Sequence, residues 1–307
     1  MRIRIRHEIT QRFDPGSRNM AVTVRLTPRS HEGQFILRWT LDLNSDCRLA
    51  AQEDAFGNLC HTFSVDGPTD HLSVVAEGEV ETQDTTGVMH GTVERFPPSL
   101  FLRQTDLTEA TPAVVAFAES VRATEDDPLG QLHALMVALH DKVEEQEGPA
   151  LGGPLSAHAA LEAGKACSGG IAHLFTAAAR HLGLPARHIS GYLAPEDPED
   201  GAEEGKGASK GEGPSKGEGA SKGEGASKGV GAARHWAEAY APKYGWISFD
   251  AGRNLCGTEH YVRLAVALDA MGVAPLRSTG LEVEELVSAL DSRAPQKLAQ
   301  AQSQSQS

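Results

Sequence analysis

Three residues of this chain have the types and setting for nucleophilic catalysis. Cys167 stands in G-K-A-C-S-G-G-I-A-H-L-F (164–175), where a loop becomes a helical pattern. His235 opens the strand-like R-H-W-A-E-A-Y, and Asp250 closes the next one, G-W-I-S-F-D. A thiol at a helix N-terminus meets unpaired N–H groups and the positive end of the dipole, which favour thiolate and oxyanion alike. Together the three suggest a Cys-His-Asp triad: imidazole takes the thiol proton, thiolate attacks an amide carbonyl, and the carboxylate fixes the tautomer. The plainer alternative is that small residues here only let a helix pack closely.

The elements around these residues can be read from periodicity. Leu174, Phe175, Ala178 and Leu182 recur at helical spacing, Gly183 stops that helix, and Pro185 prevents its return. Arg234 to Asp250 reads as a hairpin of two strands around A-P-K-Y-G, followed by a loop with Asn254 and Cys256 and a strand over 261–268. Leu129 to Gln146 reads as an amphipathic helix with Leu132, Leu135, Met136, Leu139 and Val143 inward. Ser156 suits an N-cap for a short helix ending at Gly164.

Residues 1 to about 85 read as consecutive strands, and their short spacing with polar turns predicts a sandwich. The stretch 91–128, with Pro97, Pro98 and Pro112, reads as an irregular connector. The second domain is expected over 129–290, with Leu281 to Leu290 left open between a final strand and a short helix. Within it, residues 195–232 are acidic and then repeat GASKGE-like hexapeptides, a composition too poor in apolar residues to order itself. The tail 291–307 reads as disordered.

The 307 residues suffice for a sizeable core in two domains. A formal net charge of -14 argues against nucleic acid and anionic membrane as partners. No run is long enough to span a bilayer. Cys47, Cys60, Cys167 and Cys256 are widely spaced without a C-x-x-C pair, which argues against a zinc ribbon and suits a reducing, cytoplasmic setting. No pattern calls for a cofactor, and none speaks to oligomeric state.

The order of elements, with R-L-T-P-R, D-A-F-G-N, I-A-H-L-F, A-A-R-H-L-G-L-P-A-R-H-I-S-G-Y, W-A-E-A-Y and G-W-I-S-F-D, resembles the transglutaminase-like superfamily in its bacterial form. That resemblance implies an α+β fold: an N-terminal antiparallel β-sandwich, then a papain-like core whose nucleophile-bearing helix packs on an antiparallel sheet. It also implies a peptide or protein as substrate or ligand.

The resemblance exposes a displacement. The family's nucleophile typically stands five residues before the His of A-H-L, which here is Ser168 rather than Cys167. Its histidine typically stands two before the Trp of W-x-E-x-Y, which here is Arg234 rather than His235. Only Asp250 falls in place. One residue turns a side chain by roughly 100° along a helix and reverses its face along a strand. If Trp236, Glu238 and Tyr240 keep the family register, Arg234 faces the site and His235 points away. A hairpin shifted by one, through a four-residue loop, or a bulge at Arg234-His235 would bring His235 back towards Asp250.

Three readings follow. In the first the machinery is degraded, since Ser168 opposite Arg234 has no general base, and a binding or regulatory module remains. The second is an active cysteine acyl-transferase, amidase or protease using Cys167, His235 and Asp250. The third draws a metal site from His173, His181 or His188. An arginine paired with Asp250 or Glu238 would mark the first; a thiol beside His235, itself beside Asp250, would mark the second.

Overall fold

The computed structural model describes residues 1–122, 124–147, 153–195, 232–278 and 282–291. The repeat-bearing stretch 196–231 and the tail 292–307 lie outside them. The first strands are β1 (Arg2–Ser17), β2 (Met20–Thr27), β3 (Gln34–Leu43), β4 (Ala50–Glu53), β5 (Leu59–Val65) and β6 (Thr69–Thr82). Alternation in β1 turns Ile3, Ile5, His7 and Ile9 inward and Arg2, Arg4 and Arg6 outward. β4 has no such alternation; Ala-Ala-Gln-Glu is a strand through its pairing with β5.

The chain continues with β7 (Val88–Met89), two short 3-10 turns, α1 (Pro112–Arg122) and α2 (Pro128–Lys142). The stretch read as an irregular connector thus holds an eleven-residue helix. Pro112 starts it rather than breaking it, because the missing N–H is not needed in a first turn. α2 is capped by Asp127, which accepts from the Leu129 and Gly130 amides, and buries Leu132, Leu135, Met136 and Leu139. Then come β8 (Glu144–Glu145), α3 (Ala157–Ala163), β9 (Lys165–Ala166) and α4 (Ser168–His181). Ser156 caps α3, and Gly164 ends it at a φ of 62°. The last elements are β10 (Ala186–Leu193), β11 (Ala232–Ala241), β12 (Gly245–Asp250), β13 (Leu255–Cys256), β14 (Tyr261–Ala267), β15 (Leu276–Arg277) and β16 (Glu282–Asp291).

The sandwich consists of two antiparallel sheets, ordered β16-β1-β6-β3 and β15-β2-β5-β4. Its membership differs from the sequence reading, which kept 281–290 with the second domain. That segment is a strand on the far edge of the first sheet, with Ile5 opposite Ala289 and His7 opposite Val287. Val287 and Ala289 complete the sandwich core, a contact between the two ends of the chain that local composition does not encode.

The core sheet runs β13-β12-β11-β10-β14, with β7 added to β12, and β8 and β9 form a separate two-stranded parallel pair. One face carries Ala237, Ala239, Ile247 and Phe249 against the buried side of α4. The other carries an aromatic cluster around Trp236, Trp246 and Tyr261. No described helix is long and apolar enough to cross a membrane.

Two motifs of the first half turn out to hold the sandwich against this sheet. Asp54 accepts from the Phe56 and Asn58 amides at 2.9 and 3.0 Å and from Arg25 Nε at 3.0 Å. Asn58 so held pairs with the backbone of Val266 in both directions, each bond 2.8 Å. Gln34 does the same to Arg263, donating at 2.9 Å and accepting at 2.7 Å. Side-chain amides thereby occupy the outer edge of β14 as a neighbouring strand would.

Candidate functional site

Cys167 is the N-cap residue of α4, half-buried, and its side chain caps none of the helix amides. Ser168 is the first residue of the helix. Its Oγ accepts from the His235 amide at 3.2 Å, which seats the start of α4 against the start of β11. Gly169 and Gly170 let the preceding segment close on the first turn of the helix: a Cβ at Gly169 would lie 2.9 Å from Pro154, and at Gly170 2.9 Å from the Ala166 Cβ.

The hairpin keeps the register in which Arg234 shares a face with Trp236 and Glu238. Ala237 lies opposite Phe249 and Tyr240 opposite Trp246, and Ala241 meets Gly245 across a three-residue loop, 242–244. Neither the shift nor the bulge considered above occurs. Arg234 reaches Asp250 through Nε and, at 2.8 Å, through Nη2. Its other two contacts are to Glu145 on β8, at 2.7 and 2.9 Å. Burial works against the Arg234 charge, yet the hydrogen bonds and charges of Asp250 and Glu145 outweigh it and raise the pKa further.

Asp250, 2% exposed, also accepts from the Tyr261 hydroxyl at 2.7 Å and from the Arg253 amide at 3.4 Å. Burial and the neighbouring Asp250 charge raise the pKa of Tyr261, keeping it a donor. Glu145 and Tyr261 are site residues that sequence reasoning missed. Glu145 meets Arg234 from 89 residues away in the chain, and the Tyr261 hydroxyl returns to Asp250 across the 11 residues that hold the loop and β13.

Glu238, named as another partner for Arg234, is instead held by Arg187 at 2.6 Å and Arg263 at 2.7 Å. Burial pushes its carboxyl up, but the two guanidinium charges and their hydrogen bonds prevail and hold it at about 2. Arg187 stacks over Trp246, 3.9 Å from the ring centroid, so this cluster braces the sheet.

His235 lies on the opposite face from Arg234, towards α4. Its Nδ1 is 2.9 Å from His188 Nε2. His188 in turn stacks on His173, with ring centroids 4.7 Å apart. The Ala270 amide donates to His173 Nε2 at 3.0 Å, so the ring carries its proton on Nδ1 and donates it to the Leu155 carbonyl at 2.8 Å. His188 Nδ1 is buried without a partner. An orphaned N–H costs more than an orphaned lone pair, which puts the His188 proton on Nε2, donated to His235 Nδ1. His235 then holds its own proton on Nε2 and has no free lone pair to take one from a thiol. Burial first, then the neighbouring His173, lowers its pKa to about 4.

The candidate residues therefore fall into two groups. Arg234 and Asp250 are bonded directly, while Ser168 has its hydrogen bond from the backbone amide of His235. His235 belongs to a histidine stack that does not include Asp250, and among the described residues no hydrogen bond joins it to Cys167. His181 lies elsewhere, 2.8 Å from Glu119. Among the described residues, no three His, Cys, Asp or Glu side chains converge as a metal site.

Comparison with known proteins accords with this architecture. Residues 3–81 match the bacterial transglutaminase-like N-terminal region, and residues 115–251 match the transglutaminase-like superfamily. "Uncharacterized protein ML0607" of Mycobacterium leprae (strain TN) is 23% identical over 290 residues, covering 90% of this chain and 92% of that one. A solved structure described as "a Putative Cysteine Protease from Cytophaga hutchinsonii" has a TM-score of 0.65 at 18% identity, covering 95% of this chain and 91% of that one. The fold is thus that of a mixed α+β protein whose three larger sheets are antiparallel. The chain belongs to the transglutaminase-like superfamily, and a bacterial transglutaminase-like N-terminal region precedes its core.

Proposed function

We propose that this protein is a non-catalytic member of its superfamily, whose cleft serves to bind a peptide or protein. The observation that carries this reading is the ion pair of Arg234 with Asp250 and Glu145. The carboxylate that would orient an imidazole is bound instead to a guanidinium, which cannot accept a proton. Ser168, at the nucleophile position, has no base. Cys167 has the wrong neighbours, because His235 is turned into the histidine stack. Four free, widely spaced cysteines support action in a reducing compartment such as the cytoplasm.

Alkylation by iodoacetamide, followed peptide by peptide across pH, tests the reading. Cys167 should react no faster than an ordinary thiol and be indifferent to His235→Ala, and glutamine peptides should be neither hydrolysed nor joined to an amine. Fast alkylation of Cys167 where ordinary thiols are protonated, abolished in His235→Ala, would establish a working thiol-imidazole pair instead.

A further inference from the structure

The sandwich leaves a long strand edge open. β3 pairs with β6 on one side and, among the described residues, with no strand on the other. The Asn44 amide donates to the Ser73 carbonyl at 3.2 Å, and from Arg38 to Leu43 the register with β6 is unbroken. Alternate residues of an antiparallel strand point their backbone groups to opposite sides. Arg38, Thr40 and Asp42 therefore face β6, while Trp39, Leu41 and Leu43 direct N–H and C=O outward. Among the described residues no backbone group meets these outward ones.

The open stretch has defined ends. Ahead of it, His31 bridges Gln34, the Ser30 hydroxyl accepts from the Ile36 amide at 3.0 Å, and a bulge shifts the register at Leu37. Behind it, the strand stops at Leu43. Residues 37–43 are thus free, with Thr40 at their centre. A second copy of this edge, laid antiparallel about a two-fold axis, pairs them most fully with Thr40 opposite Thr40. In that register Trp39 and Leu41 of each copy exchange both backbone hydrogen bonds with Leu41 and Trp39 of the other. Arg38 comes opposite Asp42 twice, at positions without a backbone bond, where side chains lie nearest.

The charges suit this register. The Arg38 side chain is 60% exposed and shares the Glu79 carboxylate with Arg4. Asp42 is exposed and has no hydrogen bond or ion pair among the described residues. Charge on a strand edge ordinarily keeps chains apart; here it opposes other registers. Centring the pairing on Leu41 would set Arg38 against Asn44 and Asp42 against Thr40, with both ion pairs lost. β16, at the far edge of the same sheet, has four acidic residues and no basic one, so two copies of it would bring acid to acid.

We infer that β3 joins a second copy of this chain edge to edge, so that the two sandwiches share one continuous sheet. With a single strand on each side the interface is small, and the dimer is weak and reversible. The inference does not rest on the catalytic state of the cleft.

Sedimentation equilibrium of the full chain, from micromolar to millimolar concentration, tests it. The protein should pass reversibly from monomer to dimer. Arg38→Glu and Asp42→Arg each turn two opposite-charge contacts into like-charge ones and should weaken the dimer about tenfold or more. The double variant Arg38→Glu/Asp42→Arg should recover it, which a merely disruptive change would not. If a variant fails to fold, the wild-type protein still decides the matter: hydrogen exchange at the Trp39 and Leu41 amides should slow as concentration rises. A chain monomeric to millimolar concentration would overturn the inference and leave the edge to an extended segment of another protein. A dimer indifferent to both single variants, or exchange at Trp39 and Leu41 that ignores concentration, would overturn it as well.

Discussion

Arg234 binds Asp250 with two nitrogens of one guanidinium, Nη2 meeting Oδ1 at 2.8 Å while Nε meets Oδ2. This fork fills the acceptor positions that an imidazole would need, and Tyr261 takes a further one. A polar constellation that could have served chemistry is closed on itself.

Removing the arginine should therefore cost stability. Asp250 is nearly inaccessible and the Arg234 side chain is 12% exposed, so Arg234→Ala leaves buried carboxylates unpaired and should destabilise by about 3–5 kcal/mol. Arg4→Ala, which breaks an exposed pair with Glu79, should cost no more than about 1 kcal/mol. Urea midpoints of the two variants, at unchanged m-values, check the contrast.

Restoring the family residues should restore chemistry. The double variant Ser168→Cys/Arg234→His supplies a thiol at the first residue of α4 and an imidazole on the face of Asp250. Its introduced thiol should outpace Cys167 in alkylation at neutral pH. Its hydrolysis of an activated ester should exceed that of Ser168→Cys alone by about 10²–10⁴-fold, the usual worth of a positioned base. Equal rates in the single and double variants would count against the assignment of Arg234 to the histidine position.

The pH dependence follows from His235. Burial and His173, with Arg234 adding and Glu285 opposing, bring its pKa from 6.5 to about 4. With the folded value the lower one, the unfolded chain binds more protons between those two values. The contribution is whole above pH 6.5 and is lost as pH falls towards 4. Stability measured across that window should rise with pH, and His235→Gln should flatten the slope. A histidine NMR titration should find His235 still neutral at pH 5.5.

The clamps on β14 can be tested at single amides. Asn58→Ala removes both bonds to Val266 and should destabilise by about 1–3 kcal/mol. Hydrogen exchange should quicken at the Val266 amide, while amides in the middle of α4 stay protected. Unchanged exchange at Val266 would show that the clamp carries no stability.

How far these features were legible in the sequence depends on whether their causes are local. The cap at Ser156, the stop at Gly183, the apolar stripe of α2 and the alternation of β1 are all written within a few residues, and the structure has them where periodicity puts them. The face of Arg234 was equally legible, because the strand period of two and Trp236 determine it. Glu145 and Asn58 were not, since each acts on a guanidinium or a backbone contributed by a distant segment, and Tyr261 was not, since only the folded loop after β12 returns its hydroxyl to Asp250. The helix at Pro112 was hidden by proline's double meaning as breaker and starter. The histidine stack was hidden for another reason: His173 and His188 look like ordinary packing residues until α4 and β10 are brought face to face.

One consequence follows from the edge pairing of β1 with β16. In a chain made from its N-terminus, β1 to β6 can pair among themselves early, but the outer edge of β1 stays open until residues 282–291 have emerged. Through the synthesis of the whole core, that edge offers unpaired backbone groups to any other extended chain. The arginines at positions 2, 4, 6 and 12, with their side chains outward, stand guard over it in the meantime, as charge on an exposed edge discourages stray pairing.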